Sequence, residues 1–169
     1  TRCIQLMLCP QGSYTKAIDI WSVGCIFAEL IGGKALFPGK NYIHQLNLIL
    51  DVLGTDCTKS VMEKIDNERA RNFILSRPAK AKVEWKTMFP HATEQALDLL
   101  DNMLSFDPDT RYSVEQCLAH PYLATYHDPA NPEPTADSLW NEQEFENMEL
   151  GIEELKKLLW DELQHFKSQ

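Results

Sequence analysis

The sequence has no apolar run near the roughly 20 residues that a membrane span needs, and no signal-peptide pattern at its start. It has no C-x-x-C pair and no H-E-x-x-H spacing. Its cysteines are odd in number (Cys3, Cys9, Cys25, Cys57, Cys117), and its five histidines are scattered. Neither zinc nor a disulfide framework is indicated, so free thiols in a reducing compartment are the simple reading. Basic charge is also short, with 16 Lys+Arg against 25 Asp+Glu and a net charge of −9. That balance argues against a nucleic-acid-binding surface as the main function. No pair of strands and no internal repeat stands out. There is no initiating methionine either: the chain opens on Thr1 and first reaches Met at Met7, as a processed or incomplete chain would.

What is present is ordinary globular composition, 44% hydrophobic and 24% charged over 169 residues, enough for one domain with a core or a domain plus a tail. The charge is unevenly placed. Residues 1–127 carry 13 basic and 14 acidic side chains, a net of −1, whereas residues 128–169 carry 3 and 11, a net of −8. A nearly neutral body is therefore followed by an acidic extension, which reads as a solvated surface or as a dock for a basic partner.

Hydrophobic spacing predicts a mainly α body. Ten of the fourteen residues from Ile18 to Ile31 are apolar and surround the helix axis, the pattern of a helix buried on all sides, with Gly32-Gly33 as its stop. Residues 42–53 keep Ile43, Leu46, Ile49, Leu50 and Leu53 on one face. Two short helices are expected at about 58–66 and 67–76, and another at 94–105. Ser113 with Gln116 predicts a capping box. The stretch from Asp128 to Pro134 holds three prolines in seven residues and should run extended. A last helix, about 151–166, carries an apolar stripe expected to pack back on the body.

The segment from Tyr14 to Cys25, with its D-x-W-x-x-G core of Asp19, Trp21 and Gly24, resembles the central helix in the C-terminal lobe of eukaryotic protein kinases. Phe37-Pro38-Gly39, the run from Leu97 to Arg111, and Ala119-His120-Pro121-Tyr122 follow in that family's order. The stretch from Lys40 to Asn47, the insert around 55–90 and Tyr126 to Pro129 are similar to mitogen-activated protein kinases of the extracellular-signal-regulated type. The resemblance implies an incomplete C-terminal lobe over 1–125, with an acidic extension over 126–169.

A complete relative would transfer the ATP γ-phosphoryl group to Ser or Thr before Pro, using Mg²⁺. The Gly-rich loop, anchoring Lys, catalytic-loop Asp and Asn, D-F-G and T-x-Y segments lie upstream of Thr1 in the family's order, and A-P-E is lost in the departure at Cys3 to Leu6. No catalytic residue, no metal ligand and no bound ATP or Mg²⁺ is therefore expected of this chain alone.

The resemblance also implies that Asp19 is buried against a catalytic loop and that Arg111 pairs with the A-P-E glutamate. Losing one partner of such a pair costs about 3–5 kcal/mol, so a marginal isolated chain is expected. Two docking surfaces are implied. An apolar pocket for F-x-F-P motifs would use Met7, Leu8, Tyr42, Ile43, Leu46 and Phe73, although helix packing explains the same spacing. An acidic site for basic linear motifs would use Asp128 and Glu133, weakened by Asn131 and Pro132. Implied partners are activating kinases, phosphatases and substrates, with cytoplasmic and nuclear residence, no nucleic acid and no membrane. A non-catalytic fragment that binds docking motifs is the rival reading.

Overall fold

Helix α1, Ala17–Gly32, forms where the apolar run predicts it. Gly33 ends it in the left-handed conformation at φ 70°, donating its N–H to the Glu29 carbonyl, as a C-terminal glycine does without Cβ strain. The computed structural model describes residues 15–65, 67–126, 128, 130 and 149–167. The chain divides into two units, Thr1–Pro132 and Glu133–Gln169.

In the first unit α1 is followed by α2, Tyr42–Leu53, by a 3-10 helix over Asp56–Lys64, and by α3, Glu68–Leu75. The short α4, Trp85–Met88, and then α5, Glu94–Met103, and α6, Val114–Leu118, follow, with a 3-10 turn at Pro121–Leu123. Four of the α-helix starts are set by side-chain chemistry. Asn41, Asn67 and Thr93 accept from the third residue of their helices, and Ser113 and Gln116 form the expected capping box. Such caps satisfy backbone donors that a helix end otherwise leaves bare.

The core lies between α1 and α5, with Ala28, Ile49, Leu50 and Leu100 almost fully buried and Trp21, Phe37 and Trp85 around them. A smaller cluster of Ile20, Leu99, Met103 and Cys117 seals the other side. Gly24 allows the helices to meet, since a Cβ there would lie 2.9 Å from Leu104 Cδ2 and 3.0 Å from Met103 Cβ.

The expectation that α1 is buried all round needs correction. Val23, Ile26 and Leu30 are 47%, 59% and 78% exposed, so only the face toward α5 and the core is covered. Apolar periodicity reports how many faces are built to be covered, not which ones this chain covers.

The second unit contains α7, Ile152–Lys167, close to the predicted 151–166. Glu154 caps it by accepting from the Gly151 N–H at 2.8 Å. Ile152, Leu155, Leu159, Leu163 and Phe166 recur along it at the expected helical spacing.

Candidate functional site

The Phe106-Asp107-Pro108 turn and the start of α1 are joined by one side chain. Arg111, 6% exposed, donates from Nε and Nη2 to the Ser105 carbonyl at 3.0 and 2.8 Å, and from Nη2 to Phe106 O at 3.3 Å. Its Nη1 reaches Ala17 O at 2.6 Å. The guanidinium also lies 4.9 Å from the centroid of the Trp21 ring, and Trp21 stacks on Phe37 at 6.1 Å. A planar fork that serves several carbonyls and an aromatic face is chemistry that Arg performs and Lys does not. The expectation of an orphaned guanidinium is therefore corrected: backbone oxygens, concentrated where the chain leaves α5 and enters α1, hold it.

Asp19 also departs from expectation. It stands in the first turn of α1 and is exposed, so no buried carboxylate is left without donors there. Its position suits the helix dipole, which favours negative charge at that end. With both charges accounted for, the electrostatic argument for a marginal chain falls away.

Below the turn, Lys64 bridges Asp107 at 3.1 Å and Asp109 at 2.6 Å. Burial pushes the Asp107 carboxyl up, but the Asp109 N–H, the Lys64 ammonium and the Ser60 hydroxyl outweigh it and hold it below the usual range. Hydrogen bonds that the Lys64 ammonium donates to Asp109 and Asp107 in turn raise its pKa. His120 is fixed in a similar manner. Its Nδ1 accepts the Tyr122 N–H at 3.2 Å, so Nε2 carries the proton that faces Asp98 Oδ2 at 2.9 Å. Neither pair was singled out from sequence, because each joins residues 22 or more positions apart.

The candidate apolar docking pocket is only partly assembled by described residues. Tyr42 and Ile43, in the first turn of α2, are 55% and 58% exposed, whereas Leu46 is 3% exposed. Leu46 belongs to the core, and Phe73 packs half-buried against that core, so neither shares the exposure of Tyr42 and Ile43. The corner before α2 is rigid. Gly39 donates to Gln45 Oε1 at 2.9 Å, and a Cβ on Gly39 would lie 2.6 Å from Gln45 Cα. Met7 and Leu8 lie outside the described residues. In the acidic stretch, exposed Asp128 accepts the Ala130 N–H through Oδ1 at 2.9 Å; Glu133 lies outside the described residues.

Catalytic chemistry finds few candidates. Burial pushes the Cys25 thiol up to about 12 and the Cys57 thiol up to about 11, which suppresses the thiolate a nucleophile needs. Among the described residues no group of three or more His, Cys, Asp or Glu could hold a metal ion. Asp107 and Asp109 are both committed to Lys64. The sequence carries no Gly-rich loop or D-F-G, so the residues present do not fit ATP with Mg²⁺, and no phosphoryl-transfer step follows from them.

A family model of the protein kinase domain matches residues 7–123. The mitogen-activated protein kinase mpk-1 of Caenorhabditis elegans is 46% identical over 161 residues, covering 95% of this chain and 35% of its own. A mitogen-activated protein kinase of Fusarium vanettenii is 51% identical over 155 residues, 89% and 42% of the two chains. The kinase MPS1 of Pyricularia oryzae is 47% identical over 166 residues, 98% and 39%. The chain thus spans well under half the length of these relatives. The match runs through Asp19, Trp21, Gly24 and Arg111, and with it the chain belongs to the protein kinase family, its similarity lying with the mitogen-activated protein kinases.

Proposed function

We propose that this chain is the helical C-terminal portion of a MAP-kinase-like, proline-directed serine/threonine protein kinase. The complete protein would transfer the ATP γ-phosphoryl group to Ser or Thr followed by Pro, with Mg²⁺, in signal transduction. The portion seen here supplies the central helix, the Arg111 anchor and docking surfaces for substrates, activating kinases and phosphatases. The observation that carries this reading is the kinase-domain match over residues 7–123, whose two marked segments meet physically where Arg111 binds Ala17 O and faces Trp21. Free thiols at Cys25, Cys57 and Cys117 support a reducing, cytoplasmic and nuclear setting.

Exposed Tyr42 and Ile43, in a sequence without the catalytic motifs, favour a second reading: a non-catalytic fragment that binds docking motifs. One experiment separates them. The purified chain is incubated with labelled ATP, Mg²⁺ and a Ser-Pro peptide, then titrated with an F-x-F-P peptide. No phosphoryl transfer is expected. Extension with the upstream half of a MAP kinase domain should restore transfer if the first reading holds. Tight F-x-F-P binding with no restoration would select the second. Loss of basic-peptide binding in the Asp128→Asn, Glu133→Gln double variant tests the acidic dock, and unchanged affinity would remove it.

A further inference from the structure

A groove of about 520 Å³ runs between residues 82–86 and α5, and its lining includes none of the residues assigned to the two docking surfaces above. Its floor is Trp85, whose Nε1–H donates to Asp101 Oδ1 at 2.7 Å. That bond holds a carboxylate beside the indole. The Lys82 ammonium pairs with the same Oδ1 and sits 5.9 Å from the Trp85 ring centroid. An aromatic face and a fixed carboxylate converging on one point form a cation receptor. Here the occupant is the chain's own half-exposed lysine.

We propose that this groove receives an arginine side chain presented by a segment of a partner protein, which displaces Lys82. Charge complementarity favours that occupant. The lining holds four carboxylates, Glu84, Glu94, Asp98 and Asp101, against Lys82 and Lys86, a net of −4 + 2 = −2. Asp98 is engaged by His120 and Lys86 by the Ala92 carbonyl, whereas Glu84 and Glu94 pair with no cation among the described residues. Among those residues, both bonds to the Asp101 carboxylate fall on Oδ1, so Oδ2 remains for a second N–H. An ammonium is a compact point charge with no planar fork to match the two oxygens of a carboxylate. A guanidinium can lie flat on the indole and engage a carboxylate through two parallel bonds. Val83 and Leu97 in the lining suit an apolar neighbour of that arginine. The inference stands independently of the kinase reading and of the Asp128 site.

The test uses the full chain carrying Asp128→Asn and Glu133→Gln, so that the acidic stretch contributes nothing. The probe is a fluorescein-labelled Gly-Leu-Arg-Leu-Ser-Gly peptide, and anisotropy reads its affinity. Lys82→Gln should tighten binding up to about fivefold, the factor that an exposed ion pair of this kind can withhold. Lys86→Gln removes the same charge from the same groove and should change affinity less than about twofold. Asp101→Asn keeps an acceptor for Trp85 and should weaken binding. The same peptide with citrulline for arginine should not bind. Equal gains from the two lysine variants, equal affinity for the citrulline peptide, or no binding by either the parent or the Lys82→Gln chain would overturn the proposal.

Discussion

Replacing Arg111 with Met retains most of the side-chain volume and removes every polar function. Burying a charge is costly, and a well-packed apolar substitute can be neutral or better when all partners of a buried ion are replaced together. Here they are not. The carbonyls of Ala17, Ser105 and Phe106 stay in place, having accepted four bonds from the guanidinium. The contact of the cation with Trp21 is lost as well. A buried acceptor left bare costs about 1–3 kcal/mol, and bonds to charged donors lie at the upper end. Partial rehydration lowers the sum to about 3–5 kcal/mol, the range for breaking a buried charged network. At about 2–4 °C per kcal/mol for a chain of this size, the midpoint should fall by about 6–20 °C.

Far-UV circular dichroism and tryptophan fluorescence measure it together, with Trp21 as the local reporter. Arg111→Lys should fall between, because the charge remains but one ammonium cannot reach three carbonyls. The parent chain should unfold cooperatively. A midpoint for Arg111→Met within about 2 °C of the parent, less than 1 kcal/mol, would refute the view that this residue joins α1 to the turn after α5.

Three further outcomes follow from the same geometry. Leu46→Ala should cost about 2–5 kcal/mol of stability as a core cavity, whereas Tyr42→Ala with Ile43→Ala should leave the melt nearly unchanged and weaken F-x-F-P peptide binding in a direct titration. Gly39→Ala drives a Cβ toward the Gln45 backbone and should destabilise by about 1–3 kcal/mol in urea unfolding. Because the Asp107 carboxyl is held low in the fold, its contribution is complete above the unfolded value of about 4 and disappears as pH falls through the lower folded value. Lys64→Met removes one cause of that depression, so its stability should decline less between neutral pH and pH about 3 when followed by denaturant titration.

Much of the local architecture is written in short-range signals. The spacing of Ile18 to Ile31 with Gly33 behind it and the Ser113–Gln116 box act within one or two turns, and each appears within a few residues of its expected place. The D-x-W-x-x-G segment and Arg111 are likewise legible as types, which is why the family could be read from the chain.

What sequence could not decide is where those side chains end. Asp19 was expected inside and lies outside, because exposure depends on what packs against the first turn of α1. Arg111 was expected to lack a partner, yet carbonyls supply it, and backbone oxygens leave no mark in a sequence. Leu46 and Ile43 share a helical stripe and were grouped in one pocket, but the fold buries the first and exposes the second. The pairs Lys64–Asp107, His120–Asp98 and Trp85–Asp101 join residues 16 to 43 positions apart. Local propensity and periodicity set the helices. Burial, ion pairing and the cation receptor at Trp85 arise only when distant segments are brought together, since desolvation and directional bonding are properties of the assembled surface.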